Sequence, residues 1–384
     1  MCHYRKSPKG CFVKIVILQG AFLPVPPLMG GAVEKMWFIL GQKLSERGHD
    51  VIHISRRFKH LPANELIDDV QHIRVAGYEA TSNLLLLKLL DAIYTIRAMQ
   101  KIPKDADIIV TNTFWAPIFL PLVTRAKVYV DVARMPKGQM RFYQKAHLRA
   151  NSSPVEIAIR AELPSALHHK VSMVPNPLPY QATSMEQLYS RDLSSKMRVI
   201  LFCGRVHPEK GLELLTSTIQ ALPDNWILKI VGPYKIAEGG GGEEYLRLLK
   251  RIFNSPKFQF IEPIYDVNKL NLLYKEASIF VYPSIAEKGE TFGLAPLEAM
   301  AWSAVPVVSD LNCFKDFIFH GKNGLIFDHR SEDAGEQLKE CVMDLINNHQ
   351  KLEQLANEAI KVNISHSPDN IADLFIADFK RLLA

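Results

Sequence analysis

Gly204-Arg205-Val206-His207-Pro208-Glu209-Lys210-Gly211 follows directly on the apolar run Arg198–Cys203, and Gly211–Ala221 behind it has helical spacing. The unit is a strand, a glycine turn and a helix. It sets an arginine fork and a lysine point charge beside glycines that let backbone approach a ligand, which is what a diphosphate requires. Further along comes Glu290-Thr291-Phe292-Gly293-Leu294-Ala295-Pro296-Leu297-Glu298. Here one carboxylate lies on a loop and a second on the helix that follows, spaced to aim both at one polyhydroxy ligand. Phosphate grips with hydroxyl-binding carboxylates describe a site for a nucleotide sugar. Either stretch alone is weak evidence; the pair in this order is specific.

Outward from these stretches, short apolar strands alternate with amphipathic helices. Strands are predicted at Trp226–Val231, Phe258–Ile261, Ile279–Tyr282 and Val305–Val308, and in the first half at Lys14–Leu18, Asp50–Ser55, Asp107–Thr111 and Lys127–Val132. Ala32–Arg47 places Val33, Met36, Trp37, Leu40 and Leu44 on one helical face, and Gly48 ends it. The alternation predicts an α/β protein with two doubly wound parallel sheets, each covered on both faces. Val174-Pro175-Asn176-Pro177-Leu178-Pro179 is the expected linker, because its prolines prevent helix and ladder alike. The domains are therefore expected at 1–177 and 178–366, with a last helix in 367–384. The tetraglycine Gly239–Gly242 reads as a loop tip without function.

The 384 residues, 48% hydrophobic and 22% charged, suit two globular domains. The net charge of +6 hides an asymmetry. Residues 1–180 hold 24 Lys+Arg against 13 Asp+Glu, or +11, and the remainder 22 against 27, or −5. A basic first half fits an anionic partner such as lipid headgroups, or simply a solvated surface. Nucleic acid is disfavoured, since no recognised binding motif accompanies the charge. The five cysteines are scattered without a C-x-x-C pair, which points to a reducing compartment. No signal peptide is expected from Met1–Leu18, so the expected location is cytoplasmic, with contact at the inner face of a membrane an open option. Leu84–Met99 carries Lys88, Asp91 and Arg97, falls short of a membrane span, and reads as an amphipathic or core helix able to lie on a membrane surface.

These motifs resemble the group-one retaining glycosyltransferases of GT-B fold, which include glycogen synthases and bacterial mannosyl- and glucosyltransferases. The similarity is strongest over Val199–Asp328, clear at Gly30–Asp50 and weakest over Pro62–Ser172. It implies two Rossmann-like domains facing a central cleft, with the last helix crossing back onto the first. It implies that Arg205 and Lys210 bind the donor diphosphate, that Glu290 holds sugar hydroxyls near the reacting carbon, and that Glu298 holds the ribose. Gly204 and the Thr291, Phe292, Gly293 and Leu294 backbone would face the donor, and Gly30 and Gly31 would approach the diphosphate from the first domain. The family's acceptor-side histidine is missing from Val130–Gly138, where Asp131 or Arg134 is expected to take its place.

The resemblance further implies transfer of a sugar from a UDP-, GDP- or ADP-linked donor to an acceptor hydroxyl of a glycan, lipid or small molecule, with retention. Arg205 and Lys210 would stabilise the charge growing on the leaving phosphate. No cofactor and no metal is expected: Asp105-Ala106-Asp107 reads as acids flanking a strand, and no H-E-x-x-H set occurs. Lys210 is expected to face the cleft, so that its removal costs activity and little stability. Two alternatives remain: a sugar-nucleotide epimerase of the same fold, and a non-catalytic binder of nucleotide sugars or glycans. A nicotinamide dehydrogenase is disfavoured, because no compact G-x-G-x-x-G follows the first strand.

Overall fold

The computed structural model describes residues 6–7, 10–79, 81, 83–180 and 196–384. The chain divides into two compact units, residues 1–181 with 366–384 and residues 182–365.

The first unit is built on β1 (Lys14–Leu18), β2 (Asp50–Arg56), β3 (Asn64–Ile67), β4 (Val70–Val75), β5 (Ile108–Thr111), β6 (Lys127–Val132), β7 (His147–Ala150) and β8 (Val171–Met173). Their order in the sheet is β8-β7-β6-β5-β1-β2-β4-β3. All neighbours are parallel except β3 and β4, an edge hairpin with Ile67 opposite Val70. Asp68 and Asp69 between them both take positive φ (48° and 59°), the turn that matches strand twist. The sequence pattern gave no sign of this hairpin, because β3 alternates half-buried and exposed residues and lacks an apolar run.

The sheet is covered on one face by the helix Ala32–Glu46, which buries Met36, Trp37, Leu40 and Leu44 as its spacing predicts. The helix Pro368–Leu383 shares that face. Ser367 caps it and Pro368 starts it. Phe375 packs 5.0 Å from Trp37, centroid to centroid, and Phe379 meets Tyr129 edge-on at 5.1 Å. The Val174–Pro179 segment is no free linker. The Val174 amide bonds Ala150 O, the Leu178 amide bonds His366 O, and both side chains are buried in this unit. The division at residues 181–182 lies outside the described residues.

The second unit contains β9 (Met197–Cys203), β10 (Ile227–Val231), β11 (Phe258–Ile261), β12 (Ala277–Tyr282), β13 (Val305–Ser309) and β14 (Leu325–Phe327), all parallel, in the order β11-β10-β9-β12-β13-β14. In chain order this is 3-2-1-4-5-6, the dinucleotide-binding arrangement, and its direction reverses between β9 and β12. The helix expected over Gly211–Ala221 is broken into a 3₁₀ turn at Leu212–Leu215 and an α-helix at Thr216–Ala221, and a further 3₁₀ turn at Pro208–Lys210 precedes it. Gly211 at φ 60° stands between the turns and cannot continue a right-handed helix.

Candidate functional site

The two motifs meet where β9 and β12 end. Gly204 leaves β9 under close contact: a Cβ on Gly232, which has φ 148°, would fall 1.9 Å from Gly204 O. Gly211 is equally confined, since its Cβ would lie 2.2 Å from Pro283 O on the loop after β12. Gly211 thus lets the loops after β9 and β12 touch. Lys210 is thereby carried inward and buried, and its ammonium forms an ion pair with the buried carboxylate of Glu290. The Lys210 nitrogen also stands 5.3 Å over the Tyr282 ring. Glu290 Oε1 accepts the Tyr282 hydroxyl at 3.1 Å and has the Ser284 hydroxyl at 3.2 Å. Burial, with Glu290 beside it, pushes the Tyr282 phenol far above its ordinary range, so it donates and stays neutral.

Arg205 lies outside this cluster. Its guanidinium donates to Gly239 O at 2.8 Å and to the Glu209 carboxylate. Glu209 stands between the cations, with Oε1 also 3.9 Å from the Lys210 nitrogen. The tetraglycine is therefore no loose tip. Gly239 receives Arg205, and Gly240 is buried so tightly that a Cβ would lie 2.2 Å from Tyr234 backbone. Composition hid this, because the same glycines serve flexibility and close approach.

Of the second motif, Gly293 takes φ 94° and opens the helix Leu294–Ala301. A Cβ there would come within 2.5 Å of the Phe314 ring. Its left-handed turn leaves the helix's first N–H groups without a side-chain cap, a ready anion site. Thr291 and Leu294 are half-buried on either side. Phe292 is buried and stacks on Phe317 at 5.3 Å, so its ring belongs to the core. Glu298 is buried one turn into the same helix, where its Oε2 accepts the Tyr274 hydroxyl at 3.0 Å. Lys210 and Glu290 are thus joined directly, while Arg205 and Glu298 are each held by other partners.

Sequence reasoning missed Glu209, Tyr282 and Ser284. The signal was available for the last two: Tyr282-Pro283-Ser284 ends a predicted strand, and carboxyl ends of parallel strands are where such folds bind.

In the first unit, Gly30 (φ 76°) and Gly31 (φ 93°) turn the chain into the helix Ala32–Glu46. The Glu34 carboxylate folds back to within 2.1 Å of where a Gly31 Cβ would be. Burial raises the Glu34 carboxyl to about 7, against the pull of Arg134. Asp131 is buried with both oxygens engaged: Trp37 Nε1 donates to Oδ2 at 2.8 Å and Arg149 to Oδ1 at 2.6 Å. Arg149 spends its other donors on Val174 O and Asn176. Asp131 is an internal anchor, and Arg134 is exposed beside it. Asp105 and Asp107 both bind Lys14, the first its ammonium at 2.8 Å and the second its amide at 2.7 Å.

Residues 186–362 match the family described as Glycosyl transferases group 1, so the second unit carries the domain of that family and the chain resembles its members. A glycogen synthase from Thermodesulfovibrio yellowstonii is 27% identical over 44% of this chain and 32% of its own length. A D-inositol 3-phosphate glycosyltransferase from Corynebacterium glutamicum is 22% identical over 56% of this chain and 55% of its own. The curated relatives are matched over about half of their length or less. The fold extends over the whole chain. Sucrose-phosphate synthase from Thermosynechococcus elongatus superposes with a TM-score of 0.74 at 17% identity, covering 96% of this chain and 99% of that one. The Anabaena protein HepE, solved with UDP-glucose, gives 0.69 at 16% identity with the same coverages, 96% and 99%. The chain has the GT-B fold, with two Rossmann-like units.

Proposed function

We propose that the protein is a glycosyltransferase that moves a sugar from a nucleotide-diphosphate donor to an acceptor hydroxyl, with retention of anomeric configuration. The observation that carries this reading is the buried Lys210–Glu290 pair at the switch point of β9 and β12. A lysine held there by a carboxylate is preorganised for a phosphate, and the uncapped start of Leu294–Ala301 adds amide donors beside the same loop. As the bond from the anomeric carbon to the diphosphate breaks, charge grows on the leaving phosphate. Lys210 meets that charge, and Arg205 swings from Glu209 and Gly239 to meet it too. Each cation contributes a few kcal/mol to the transition state, about a hundredfold in rate.

Glu290 is read as an orienting group. Its contacts with Lys210, Tyr282 and Ser284 all fall on Oε1, which leaves Oε2 for a sugar hydroxyl. A carboxylate so engaged is a poor nucleophile. The proposed route is therefore same-face transfer, with the departing phosphate taking the acceptor proton. Glu298 then holds the ribose, and no metal takes part. The neighbour HepE, solved with UDP and with UDP-glucose, supports the donor class. The reading places the protein in the cytoplasm, in peripheral contact with an anionic membrane.

Incubation with a panel of labelled UDP-, GDP- and ADP-sugars tests the proposal, since transfer or slow hydrolysis of one donor is expected. A donor that is epimerised, or bound and returned unchanged, replaces the reading. Activity is expected to persist in excess chelator, and a strict need for Mn²⁺ or Mg²⁺ ends the metal-free route.

A further inference from the structure

The helix Leu84–Met99 has the composition of a core helix, yet it buries only Tyr94, Thr95 and Ala98. Along its amino-terminal half one side is exposed, with Leu84 72%, Leu85 81% and Leu89 57% exposed. At 3.6 residues per turn, Leu85, Leu89 and Ile96 fall within about 40° of one another and form one apolar stripe along the helix. Lys88 flanks the stripe on one side and Arg97 on the other, both exposed. The one acid of the helix, Asp91, is half-buried, with the Phe114 backbone beside it. The outer face therefore offers leucine, isoleucine and cations, with no carboxylate.

The stripe is preformed. Asn83 caps the helix by accepting the Leu85 and Leu86 amides. Lys88 O receives the Trp115 indole, whose ring stacks on Phe119 at 5.7 Å, so half-buried aromatic rings border the leucines. No helix among the described residues is long and apolar enough to cross a membrane. At 1.5 Å per residue this one reaches about 24 Å, short of a hydrocarbon core of about 30 Å. An apolar stripe between cations, bordered by indole, is the composition of a helix lying in the headgroup layer.

We infer that the outer face of Leu84–Met99 docks the protein on an anionic lipid bilayer, with Leu85, Leu89 and Ile96 entering the acyl boundary and Lys88 and Arg97 meeting lipid phosphates. The occupant is argued from charge: residues 1–180 carry 24 Lys+Arg against 13 Asp+Glu, and the charges this face contributes to that count are all cations. The helix follows β4, so its leucine end lies at the carboxyl edge of the first sheet, as does the Gly30–Gly31 turn after β1. The inference gives the membrane contact proposed above a place on the molecule. It stands whether or not the chain transfers sugar.

Flotation of the full chain with phosphatidylglycerol–phosphatidylcholine vesicles, against phosphatidylcholine alone, tests it. The wild type is expected to float with the anionic vesicles. Leu85→Ser and Leu89→Ser together are expected to weaken binding by on the order of a hundredfold. The melting temperature and donor turnover should stay unchanged, because these side chains face solvent. Lys88→Gln with Arg97→Gln is expected to remove the preference for anionic lipid. Equal flotation of the leucine variant and wild type overturns the inference, as does no flotation of the wild type at low salt. A wild-type dimer by light scattering that the leucine changes dissociate, without vesicle binding, assigns the stripe to a second copy of the chain and overturns it too. A wild-type chain that floats but turns over no donor counts against the transferase reading alone.

Discussion

Lys210 and Glu290, 80 residues apart in sequence, close a buried ion pair between the loops that leave two neighbouring parallel strands. The expectation that Lys210 simply faces a cleft is therefore corrected. It is buried, and removing it leaves the Glu290 charge without its partner in a site of low polarity. Lys210→Ala is expected to cost about 3 kcal/mol of stability or more, besides a loss of at least about a hundredfold in transfer. Combining Lys210→Met with Glu290→Gln removes both charges and should restore most of the melting temperature without restoring activity. A melt of Lys210→Ala equal to wild type would show that the pair does not form in solution.

Gly293 meets two constraints at once, a φ of 94° and the Phe314 ring 2.5 Å from any Cβ. Gly293→Ala is expected to destabilise by about 2–4 kcal/mol and to weaken donor binding, since the helix start must shift. Gly321 is the control: its φ is 72°, with nothing within 4 Å of a Cβ. Gly321→Ala should cost only about 1 kcal/mol, the backbone share alone. Thermal melts of the two variants, with calorimetric titration of a nucleotide, check the difference.

Asp131 and Arg149 are both fully enclosed, and each satisfies the other at 2.6 Å. Asp131→Ala strands the guanidinium and also frees the Trp37 indole, a loss of about 3–5 kcal/mol. Asp131→Ala with Arg149→Met should recover much of it, as measured by the urea midpoint. An acceptor-binding role for Asp131 would instead appear as a raised acceptor KM with the midpoint unchanged.

Glu34 gives a pH dependence of known sign. Its carboxyl is raised by burial from 4.5 to about 7, so the folded state holds a proton that the unfolded state has released between those values. Stability from this group is full below pH 4.5 and falls as pH rises through 7. Glu34→Gln is expected to raise the melting temperature at pH 8 and change little at pH 4.5. The ceiling is about 3 kcal/mol. The buried His53 and His72 act in the opposite direction. Burial lowers both, His72 to about 4, so their contribution is lost as pH falls from 6.5 toward 4. Melting curves of His72→Phe between pH 4 and 7 should show a flatter acid limb than wild type.

Much of this protein was legible in its sequence. The strands of both sheets that consist of β-branched runs were found to within a residue or two at their ends. Those of the β3–β4 hairpin, together with β7, β8 and β14, were not. They are short, at three to six residues, and several are mixed in polarity, so periodicity carries little information in them. The glycine turns were legible because only glycine tolerates the φ they need. Leu84–Met99 was legible as a helix and illegible as a surface. Its residues are apolar enough for a core, and only the packing of Tyr94, Thr95 and Ala98 shows which side is turned in.

The sequence by itself determined the alternation of strand and helix, and with it the two Rossmann-like units. It also named the charged residues of Gly204–Gly211 and Glu290–Glu298, because local spacing and glycine chemistry act over a few residues. Only the tertiary structure decided who meets whom. The order 3-2-1-4-5-6 sets β9 against β12 and so joins Lys210 to Glu290, which Tyr282 and Ser284 also bind, while Arg205 turns to Glu209 and Gly239. Burial and ion pairing depend on which strands become neighbours, and that is a property of the folded sheet that no local pattern along the chain carries.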